Sequence, residues 1–473
     1  MIFDLDGTVI KTDSLWEMLF SHLRGNPFRV LRAFYVLIAR DVVGFKAILS
    51  KRADREVANW PMNSAVVELI EEARACGSEI VLATAAHQGI AKAVNRRLQL
   101  FDRVIGSSGR TNLKGEAKLA WIQDHYDLRS VGYVGDCQSD IPIWRAVHDR
   151  FVVDSNHVSS LTSRVSELKV VRGSQETQSH QSFMALISAI RPHQWLKNLL
   201  VMAPALLYQP GHMMDFTLAA TGALIFSIMA SSVYLANDLS DLPHDREHPR
   251  KKRRAIASGD LSLPIATLTM AILWFVSSVS AFLISVPFGF GLMVYFVATA
   301  AYSFAIKSRK WADVCLLSGL YTWRIICGGL ILAVPISNWL IAFSLSFFLG
   351  LALLKRLAEV EDRKLSGQDM PYGRAYSSRD RIALRSSAIV SSTASLGVLA
   401  MYSQTHLASL LYASSDALLG VVAALAIWFT RLLNAIHRHQ MLDDPIVYAL
   451  RDPISWIVGA VSVLSFGVAC GWF

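Results

Sequence analysis

The pattern of hydrophobic and polar positions divides the chain into two parts of different character. Up to about residue 170, short apolar runs such as 79–86 and 131–136 alternate with stretches of helical periodicity. Strands that alternate with helices in this way predict a parallel sheet with crossover helices, an α/β Rossmann-like fold. Residues 173–182 contain no apolar side chain, which is typical of a surface linker.

After the linker come nine apolar segments of about the 17–25 residues that a membrane-spanning helix needs. Six of them contain no Asp, Glu, Lys or Arg: 216–236, 264–286, 287–306, 336–354, 386–404 and 453–473. Segments 314–334 and 406–430 each carry one charged residue, and the first segment, 183–208, is interrupted by Arg191 and Lys197. The pattern predicts an all-α transmembrane bundle of about nine helices.

Lys and Arg residues fall in alternate connections between these segments. The entry to the first segment and the connections after 236, 306, 354 and 430 are basic. Four others have no Lys or Arg: those near 209–215, 287–289, 334–338 and 403–407. Because cytoplasmic loops carry an excess of Lys and Arg, we expect the basic connections and the N-terminal domain on the cytoplasmic side of a bacterial inner membrane.

Composition supports a membrane protein and argues against two other classes. Hydrophobic residues make up 53% of the 473-residue chain and charged residues 18%, with a mean hydropathy of +0.37. The net charge of +9 does not indicate nucleic-acid binding, because the basic residues lie in short connections and form no recognisable binding motif. The five cysteines lack the paired spacing of a disulfide framework or a zinc site.

Two aspartates follow the first apolar run, in the sequence DLDGT. Asp4 and Asp6 are two residues apart, so on an extended strand they face the same way, and Gly7 permits a sharp turn. One carboxylate of such a pair can attack as a nucleophile while the other moves protons. Only three residues precede Asp4, so either the first strand is marginal or the true start lies upstream.

Further polar residues extend this pattern along the α/β part. Thr84 lies in the apolar run IVLATAA, and Lys118 lies in LKGEAKLAWI. Asp136 and Asp140 lie in GYVGDCQSDIPIW. The set, in this order, resembles the haloacid-dehalogenase-like phosphatases over roughly the first 170 residues.

The resemblance implies a catalytic role for four residues. Asp4 would be the nucleophile that forms an aspartyl-phosphate, and Asp6 the general acid and base. Thr84 and Lys118 would hold the phosphoryl oxygens. Lys114 is an alternative to Lys118, but the motif spacing favours Lys118.

A magnesium site and a helical cap are further implications of this resemblance. Asp4, Asp136 and Asp140 would bind Mg²⁺, which prefers oxygen ligands. Residues 14–62 would form the cap, although 28–49 mixes basic and apolar residues as an interfacial membrane helix also does. A degenerate domain that is kept as a binding module is the alternative to a phosphatase.

An acidic motif lies where the second apolar segment ends. Asp238, Asp241 and Asp245 stand at i, i+3 and i+7, so on a helix they share one face, with Asn237 at its flank. Three carboxylates there repel one another unless a cation neutralises them, which indicates Mg²⁺ bridging a phosphorylated substrate. A solvated helix end is the alternative, and it accounts poorly for an acidic cluster followed by six basic residues.

This motif and the predicted spans resemble the UbiA superfamily of polyprenyl-substrate transferases, over residues 183–473. The closer resemblance is to the branch of polyprenyl-phosphate phosphoribosyltransferases that make decaprenylphosphoryl-5-phosphoribose. Four segments carry it: RPHQWLKNLLVMAPAL (191–206), NDxxDxxxDREHPxK (237–251), YSFxxK (302–307) followed by Asp313, and KRxAE (355–359). Two departures are Ala255, where the family favours Pro, and a second acidic motif reduced to Asp313; the latter favours the phosphoribosyl branch.

The resemblance implies phosphoribosyl diphosphate as donor and a polyprenyl phosphate lipid as acceptor. Asp238, Asp241 and Asp245 would hold Mg²⁺ and the diphosphate. The candidate substrate-binding residues, which are basic except for one asparagine, are Lys197, Asn237, Lys251, Arg254, Lys307, Arg324, Lys355 and Arg356.

The two resemblances together predict a bifunctional membrane enzyme that transfers 5-phosphoribosyl to a polyprenyl phosphate and then removes the 5-phosphate. The expected domains are 1–170, a linker 171–182, and 183–473. An aromatic prenyltransferase with an independent or regulatory phosphatase-like domain is the alternative. The sequence leaves the oligomeric state and the isoprenoid chain length open.

Overall fold

The computed structural model of the chain describes residues 1–25, 35–36, 41–109, 111–153, 158–171, 178–208, 213–249, 251–365, 376–441 and 445–472. These residues form two compact units that interleave along the sequence. The first contains Met1–Pro192 with Tyr234–Ile272, and the second contains His193–Val233 with Leu273–Phe473. The acidic motif that begins at Asn237 therefore belongs to the same unit as the N-terminal α/β fold.

Six parallel strands form the sheet of the first unit, in the order β3-β2-β1-β4-β5-β6. The strands are β1 (Ile2–Phe3), β2 (Val81–His87), β3 (Arg103–Ser107), β4 (Gly132–Gly135), β5 (Asp149–Val153) and β6 (Lys169–Val171). The helices that precede or follow β2 to β5 are Ser64–Ala75, Gln88–Leu98, Glu116–His125, Ile141–Ala146 and Val158–Thr162. This architecture confirms the predicted α/β fold.

β1 is only two residues long, yet it lies in the middle of the sheet. Successive residues of a strand face opposite sides of the sheet. Ile2 packs in a buried cluster with Tyr133, whereas Phe3 packs in another with Leu82 and Val134. Apolar side chains on both faces hold this short strand in place.

Helices in the segment predicted as a cap lie between β1 and β2. They are Ser14–Gly25, Val42–Leu49 and Ala53–Glu56. Leu49 is buried in the same cluster as Phe3, so this segment packs directly on one face of the sheet. Residues 26–34 and 37–40 lie outside the described residues. Most of them belong to the stretch 28–49, for which the sequence allowed either a cap or an interfacial membrane helix.

Long apolar helices make up most of the rest of the chain. In the part that the structure describes, seven helices contain a stretch long and apolar enough to cross a membrane: Met213–Ser240, Leu263–Ile284, Ala312–Leu332, Asn338–Leu365, Arg381–Ser403, Leu418–His437 and Pro453–Cys470. A shorter apolar helix, Val286–Ala301, occupies the predicted span 287–306. The remaining short helices are Gln178–Ile190, Ala203–Tyr208, Leu242–Glu247, Ala255–Ser258, His406–Leu411 and Pro445–Arg451. These helices confirm a helical membrane bundle after the α/β domain.

The first predicted span, 183–208, is not one continuous helix. The helix Gln178–Ile190 ends at Arg191, whose φ of 56° is positive. A 3₁₀ segment, Pro192–Met202, then leads to the helix Ala203–Tyr208. The proline that starts the 3₁₀ segment has no N–H and disfavours helical backbone in the residue before it, which explains the break.

Two other boundaries differ from the sequence pattern. The helix Gln178–Ile190 begins inside the predicted linker, of which residues 172–177 lie outside the described residues. The predicted span 406–430 divides into two helices, His406–Leu411 and Leu418–His437. Serines and an aspartate between them favour a turn, because their side chains compete for the backbone hydrogen bonds of a helix.

Candidate active sites

Asp4, Thr84 and Asp136 lie at one edge of the sheet. β1 runs parallel to both of its neighbours, β2 and β4, so the carboxyl ends of these three strands meet at the same edge. The N–H of Asp4 donates to the carbonyl of Val134 at 3.0 Å, so the pairing of β1 with β4 continues as far as Asp4. The sheet thus brings together residues from three separate sequence motifs.

Lys118 reaches the same edge from the helix Glu116–His125. Its ammonium lies 2.8 Å from Asp4 Oδ2 and donates to the Tyr133 hydroxyl at 2.9 Å, and the residue is only 1% exposed. Burial alone would lower the pKa of Lys118, but the charges of Asp4 and Asp140 outweigh it and raise that pKa. A buried, charged ammonium beside Asp4 is suited to binding a phosphoryl oxygen.

Gly7 makes room for Asp136. The φ of Gly7 is +70°, and a Cβ at this position would come 2.1 Å from Asp136 Oδ2. A side chain at position 7 would therefore be strained and would displace the Asp136 carboxylate. The glycine of DLDGT serves the close approach of Asp136 as well as the turn.

Asp6 is fixed by the first turn of a helix. Its Oδ1 accepts a hydrogen bond from the N–H of Ser14 at 2.7 Å. Burial, and then the charge of Asp13, raises the pKa of Asp6 to about 7. A carboxyl group with this pKa exists in both forms near neutral pH, as a group that gives and takes back a proton requires.

Asp136 has the environment of a metal ligand. Burial, and then the charges of Asp4 and Asp140, raise the pKa of Asp136 well above its ordinary range. Concentrated negative charge of this kind is relieved when a divalent cation binds, and carboxylate oxygens are the ligands that Mg²⁺ prefers. The side chains present therefore fit Mg²⁺ at this edge of the sheet.

Asp140 and Cys137 lie beside Asp136, with ligand atoms of the three residues within 4.8 Å of one another. Asp140 accepts a hydrogen bond from the Tyr133 hydroxyl at 2.8 Å and lies 3.7 Å from Lys118 Nζ. In this structure Asp140 therefore orients Lys118. Burial raises the pKa of the Cys137 thiol, which makes it a poor metal ligand because metals bind the thiolate.

Lys46 is a cation at this edge that the sequence pattern did not single out. It lies on the helix Val42–Leu49, and its ammonium donates to the Ala85 carbonyl at 2.7 Å and to Asn112 Oδ1 at 2.8 Å. Burial lowers the pKa of Lys46, against the attraction of Asp6. In the sequence it is one of several basic residues in a mixed stretch, so only its contacts identify it.

The acidic motif forms a second cluster in the first unit. Asp238 and Asp245 are 5% and 2% exposed. Two helices meet at Asp241, and helical hydrogen bonds continue across the junction, from Asp241 N to Asn237 O at 2.8 Å and from Asp245 N to Asp241 O at 2.9 Å. The break in the helix is therefore local, and Asp238 and Asp245 share a basic partner.

Basic side chains contact these buried aspartates. Arg254 Nη1 lies 3.0 Å from Asp238 Oδ1 and 2.6 Å from Asp245 Oδ2, and Lys251 Nζ lies 3.9 Å from Asp245. Arg191 Nη2 lies 2.6 and 2.8 Å from the two oxygens of Asp238. Burial raises the pKa of Asp245, although the charges of Arg254 and Lys251 oppose the shift.

Arg191 was not among the residues that the sequence pattern assigned to a site. The pattern gave it as an interruption of an apolar segment and as the first residue of the segment 191–206, without a binding role. The signal was present, because a charge in an apolar segment is costly and is commonly functional. Arg254 and Lys251, in contrast, were predicted as substrate-binding residues, and the structure places both next to Asp245.

Arg324 lies in the second unit and is buried among protein partners. Its guanidinium donates to Asn198 Oδ1 at 2.9 Å, to the Leu320 carbonyl at 2.7 Å and to the Tyr295 hydroxyl at 3.2 Å. These bonds tie three segments of the bundle together. The contacts support a structural role for Arg324.

Arg356 also lies in the second unit, in a buried ion cluster. Its Nε lies 2.7 Å from Asp313 Oδ2, and its Nη1 donates to both oxygens of Glu359 at 2.6 and 2.7 Å. The Tyr376 hydroxyl donates to the other oxygen of Asp313 at 2.6 Å. Asp313, which the sequence indicated as the remainder of a second acidic motif, therefore pairs with Arg356, which was predicted to bind phosphate.

The other predicted substrate-binding residues are half-buried. Asn237 lies near the end of its helix, next to Asp238, in the first unit. Lys197 lies 6.0 Å from the centre of the Tyr321 ring in the second unit. Lys307 follows a π-helical turn, and Lys355 precedes Arg356 on its helix, both in the second unit.

Comparisons with known proteins cover both parts of the chain. Residues 198–445 match the model of the UbiA prenyltransferase family, and residues 1–145 match that of the haloacid dehalogenase-like hydrolases. The chain is 34% identical to the uncharacterized protein y4nM of Sinorhizobium fredii over 476 residues, which cover 99% of this chain and 90% of that protein. A relative that matches over nearly the whole chain supports the two-domain arrangement.

Two further relatives match shorter stretches. The nodulation protein NoeC of Azorhizobium caulinodans is 30% identical over 292 residues, which cover 61% of this chain and 92% of NoeC. The decaprenyl-phosphate phosphoribosyltransferase of Mycobacterium tuberculosis is 32% identical over 187 residues, 38% of this chain and 62% of that protein. The chain therefore belongs to the UbiA prenyltransferase family and carries a haloacid dehalogenase-like domain at its N-terminus.

Proposed function

We propose that this protein transfers a 5-phosphoribosyl group from phosphoribosyl diphosphate to a polyprenyl phosphate such as decaprenyl phosphate, and that its N-terminal domain then removes the 5-phosphate. The buried pair Asp238 and Asp245, joined by Arg254, is the observation that carries the transfer reaction. The similarity to decaprenyl-phosphate phosphoribosyltransferases supports this donor and acceptor. The product would be a polyprenylphosphoryl ribose.

In the transfer step, an oxygen of the polyprenyl phosphate attacks C1 of the ribose while the bond from C1 to the diphosphate breaks. Asp238, Asp241 and Asp245 would hold Mg²⁺, which neutralises the departing diphosphate. Arg254 and Lys251 contact Asp245 and would pair with the phosphates of a donor bound there. Lys197, Lys307 and Lys355 are the remaining candidates for binding phosphate.

In the phosphatase step, an oxygen of Asp4 attacks the phosphorus of the 5-phosphate, and the bond from phosphorus to the ribose oxygen breaks. Protonated Asp6 gives its proton to that oxygen. Asp6 then takes a proton from a water molecule that attacks the aspartyl-phosphate, which releases inorganic phosphate and restores Asp4. Thr84 and Lys118 would hold the phosphoryl oxygens, and Mg²⁺ bound by Asp4 and Asp136 would neutralise their charge.

The order of the two reactions follows from the chemistry of the groups. The lipid made by transfer still carries a 5-phosphate, which is a substrate for a phosphomonoesterase. A phosphatase in the same chain meets that lipid at a high effective concentration. The charge pattern of the connections supports placing this domain at the cytoplasmic face of a bacterial inner membrane.

Purified full-length protein in lipid nanodiscs, supplied with labelled phosphoribosyl diphosphate, decaprenyl phosphate and Mg²⁺, tests both steps. We expect a labelled lipid without the 5-phosphate, and with Asp4→Asn a labelled lipid that keeps it. Absence of any labelled lipid would reject the transfer step. A wild-type product that keeps its 5-phosphate would reject only the phosphatase step.

The alternative, an aromatic prenyltransferase, is tested in the same preparation with a prenyl diphosphate and an aromatic acceptor. Prenylation of that acceptor in place of phosphoribosyl transfer would establish the alternative. If Asp4→Asn changed the rate of transfer and not the phosphorylation of the product, the N-terminal domain would be regulatory.

A further inference from the structure

Glu17 and Arg246 form a buried ion pair between two distant parts of the first unit. Arg246 Nη2 lies 2.6 Å from Glu17 Oε1, and Arg246 Nη1 lies 3.1 Å from Glu17 Oε2. The side chain of Arg246 is 7% exposed and that of Glu17 is 3% exposed. A bidentate arginine–carboxylate pair fixes both distance and orientation, and its burial protects it from screening by salt.

Glu17 is attached to the phosphatase-like site. It lies in the first turn of the helix Ser14–Gly25, and the first residue of this helix donates its N–H to Asp6. The Thr12 hydroxyl donates to Glu17 Oε1 at 2.7 Å. The carboxylate of Glu17 is thus held within the phosphatase-like fold by Thr12, in addition to its bonds with Arg246.

Arg246 is attached to the acidic motif. It lies on the helix Leu242–Glu247, directly after Asp245, and its Nε donates to the Ala257 carbonyl at 3.2 Å. Asp245 bonds Arg254, which also bonds Asp238. Consecutive residues of one short helix therefore serve different partners: Asp245 joins the acidic cluster, and Arg246 joins the phosphatase-like fold.

Two further contacts join the same parts. Asn59 Nδ2 donates to Glu247 Oε1 at 2.9 Å. A Cβ at Gly259, whose φ is +86°, would lie 2.9 Å from the Cβ of Lys11. The segment from Leu242 to Gly259 is therefore in contact with the phosphatase-like fold near both of its ends.

We propose that Glu17, acting through Arg246, is a positioning residue for the acidic motif. The inference rests on the proposed role of Asp238 and Asp245 in binding the metal and diphosphate. It assigns a second role to the N-terminal domain: besides its own chemistry, the domain holds the acidic segment of the transferase in its working geometry. A substitution of Glu17 should then impair transfer, although Glu17 lies in the phosphatase-like fold and not in the transferase domain.

The test uses full-length protein in nanodiscs with four variants: Glu17→Gln, Arg246→Gln, the double variant, and Asp54→Asn as the matched control. Asp54→Asn removes the exposed ion pair between Asp54 and Arg96, which lies within the phosphatase-like fold. Hydrogen exchange of residues 242–258 reports directly on how the segment is held. Total labelled lipid, with or without the 5-phosphate, reports on transfer.

We expect Glu17→Gln to speed exchange of residues 242–258 about tenfold and to raise the KM for phosphoribosyl diphosphate about tenfold, with a smaller change in kcat. The double variant should be no worse than the worse single variant, because both remove one interaction. Asp54→Asn should match the wild type in both measurements.

Unchanged exchange in Glu17→Gln, or faster exchange with an unchanged KM, would overturn the inference. Equal effects from Asp54→Asn would also overturn it, because general loosening of the fold would then be sufficient. If the wild type makes no labelled lipid, the proposed function fails, and the hydrogen-exchange comparison still decides whether Glu17 holds the segment.

Discussion

The ammonium of Lys118 lies 2.8 Å from Asp4 Oδ2, within a buried network that continues through the Tyr133 hydroxyl to Asp140. Asp140 accepts from the Tyr133 hydroxyl, Tyr133 accepts from Lys118, and Lys118 faces Asp4. A charge held in this way costs no reorganisation when negative charge develops on a transferred phosphoryl group. Burial raises the pKa of Asp4, and the charge of Lys118 opposes that shift and so favours the ionised, nucleophilic form.

Lys118→Met should therefore lower phosphatase turnover by about 10²–10³-fold, in the range seen when one preorganised donor is removed from a developing anion. Tyr133→Phe keeps Lys118 and Asp4 and removes only the linking hydroxyl, so we expect a smaller loss, about tenfold. Release of inorganic phosphate from a phosphomonoester measures both. Near wild-type turnover in Lys118→Met, with the fold intact by circular dichroism, would contradict this role.

The rate of aspartyl-phosphate formation should fall as the pH rises. This step needs protonated Asp6, whose pKa burial and the charge of Asp13 raise to about 7, and the protonated form is lost above the pKa. Bound Mg²⁺ lowers the pKa of a nearby carboxyl, so we expect the midpoint at or below about 7. Rapid-quench measurement of phosphoenzyme formation across the neutral range tests this.

Asp6→Asn is the control for the pH profile. It should lower the rate by about 10²–10⁴-fold, the contribution typical of general acid–base catalysis, and should abolish the alkaline decline. An alkaline decline that persists in Asp6→Asn belongs to a different group and would remove Asp6 from this role.

The approach of Asp4, Thr84 and Asp136 could be predicted from the sequence because Asp4 and Asp136 directly follow strands and Thr84 lies in the middle of β2. Once a parallel sheet is inferred, the carboxyl ends of adjacent strands meet at one edge, so Asp4, Thr84 and Asp136 must approach one another. The hydrogen bond between Asp140 and Tyr133 was not accessible in this way, because it depends on how two side chains pack, which spacing along the chain does not specify.

The transferase part shows a different limit. The spacing of Asp238, Asp241 and Asp245 predicted that they share one face of a helix, because helical geometry depends only on hydrogen bonds between residues close in sequence. The pairing of Glu17 with Arg246, 229 residues apart, is a tertiary contact, and neither residue stands out within its own segment. Hydropathy alone predicted that Arg191 lies inside one continuous span. In the structure the helix ends at Ile190, directly before Arg191 and Pro192.

Arg191→Gln should raise the KM for phosphoribosyl diphosphate about tenfold. Its guanidinium holds both oxygens of Asp238, and a cation at this position would also pair with the phosphates of the donor. Arg191→Lys should recover only part of the loss, since an ammonium cannot bind in a bidentate manner. Arg309→Gln, a surface cation in another basic connection, is the matched control and should leave the KM unchanged.

Arg356→Met should destabilise the membrane domain by about 3–5 kcal/mol, because it removes the cation that pairs with buried Asp313 and with half-buried Glu359. Thermal unfolding in detergent measures the effect. Adding Asp313→Asn to Arg356→Met should restore part of the stability, since one uncompensated charge is then removed. A variant that loses transfer but keeps its stability would instead make Arg356 a substrate-binding residue.

Asp245→Asn should raise the Mg²⁺ concentration needed for half-maximal transfer by about tenfold or more, with no change in the Mg²⁺ dependence of the phosphatase. The physical reason is that burial raises the pKa of Asp245, so its charge is costly unless a cation compensates it, and an asparagine offers that cation no charge. Asp260→Asn, an exposed carboxylate of the same unit, should change neither dependence. Separate titrations of lipid formation and of phosphate release measure the two sites independently. If Asp245→Asn shifted both dependences equally, one shared metal would have to serve both reactions, and the assignment of a metal to the acidic motif would be wrong.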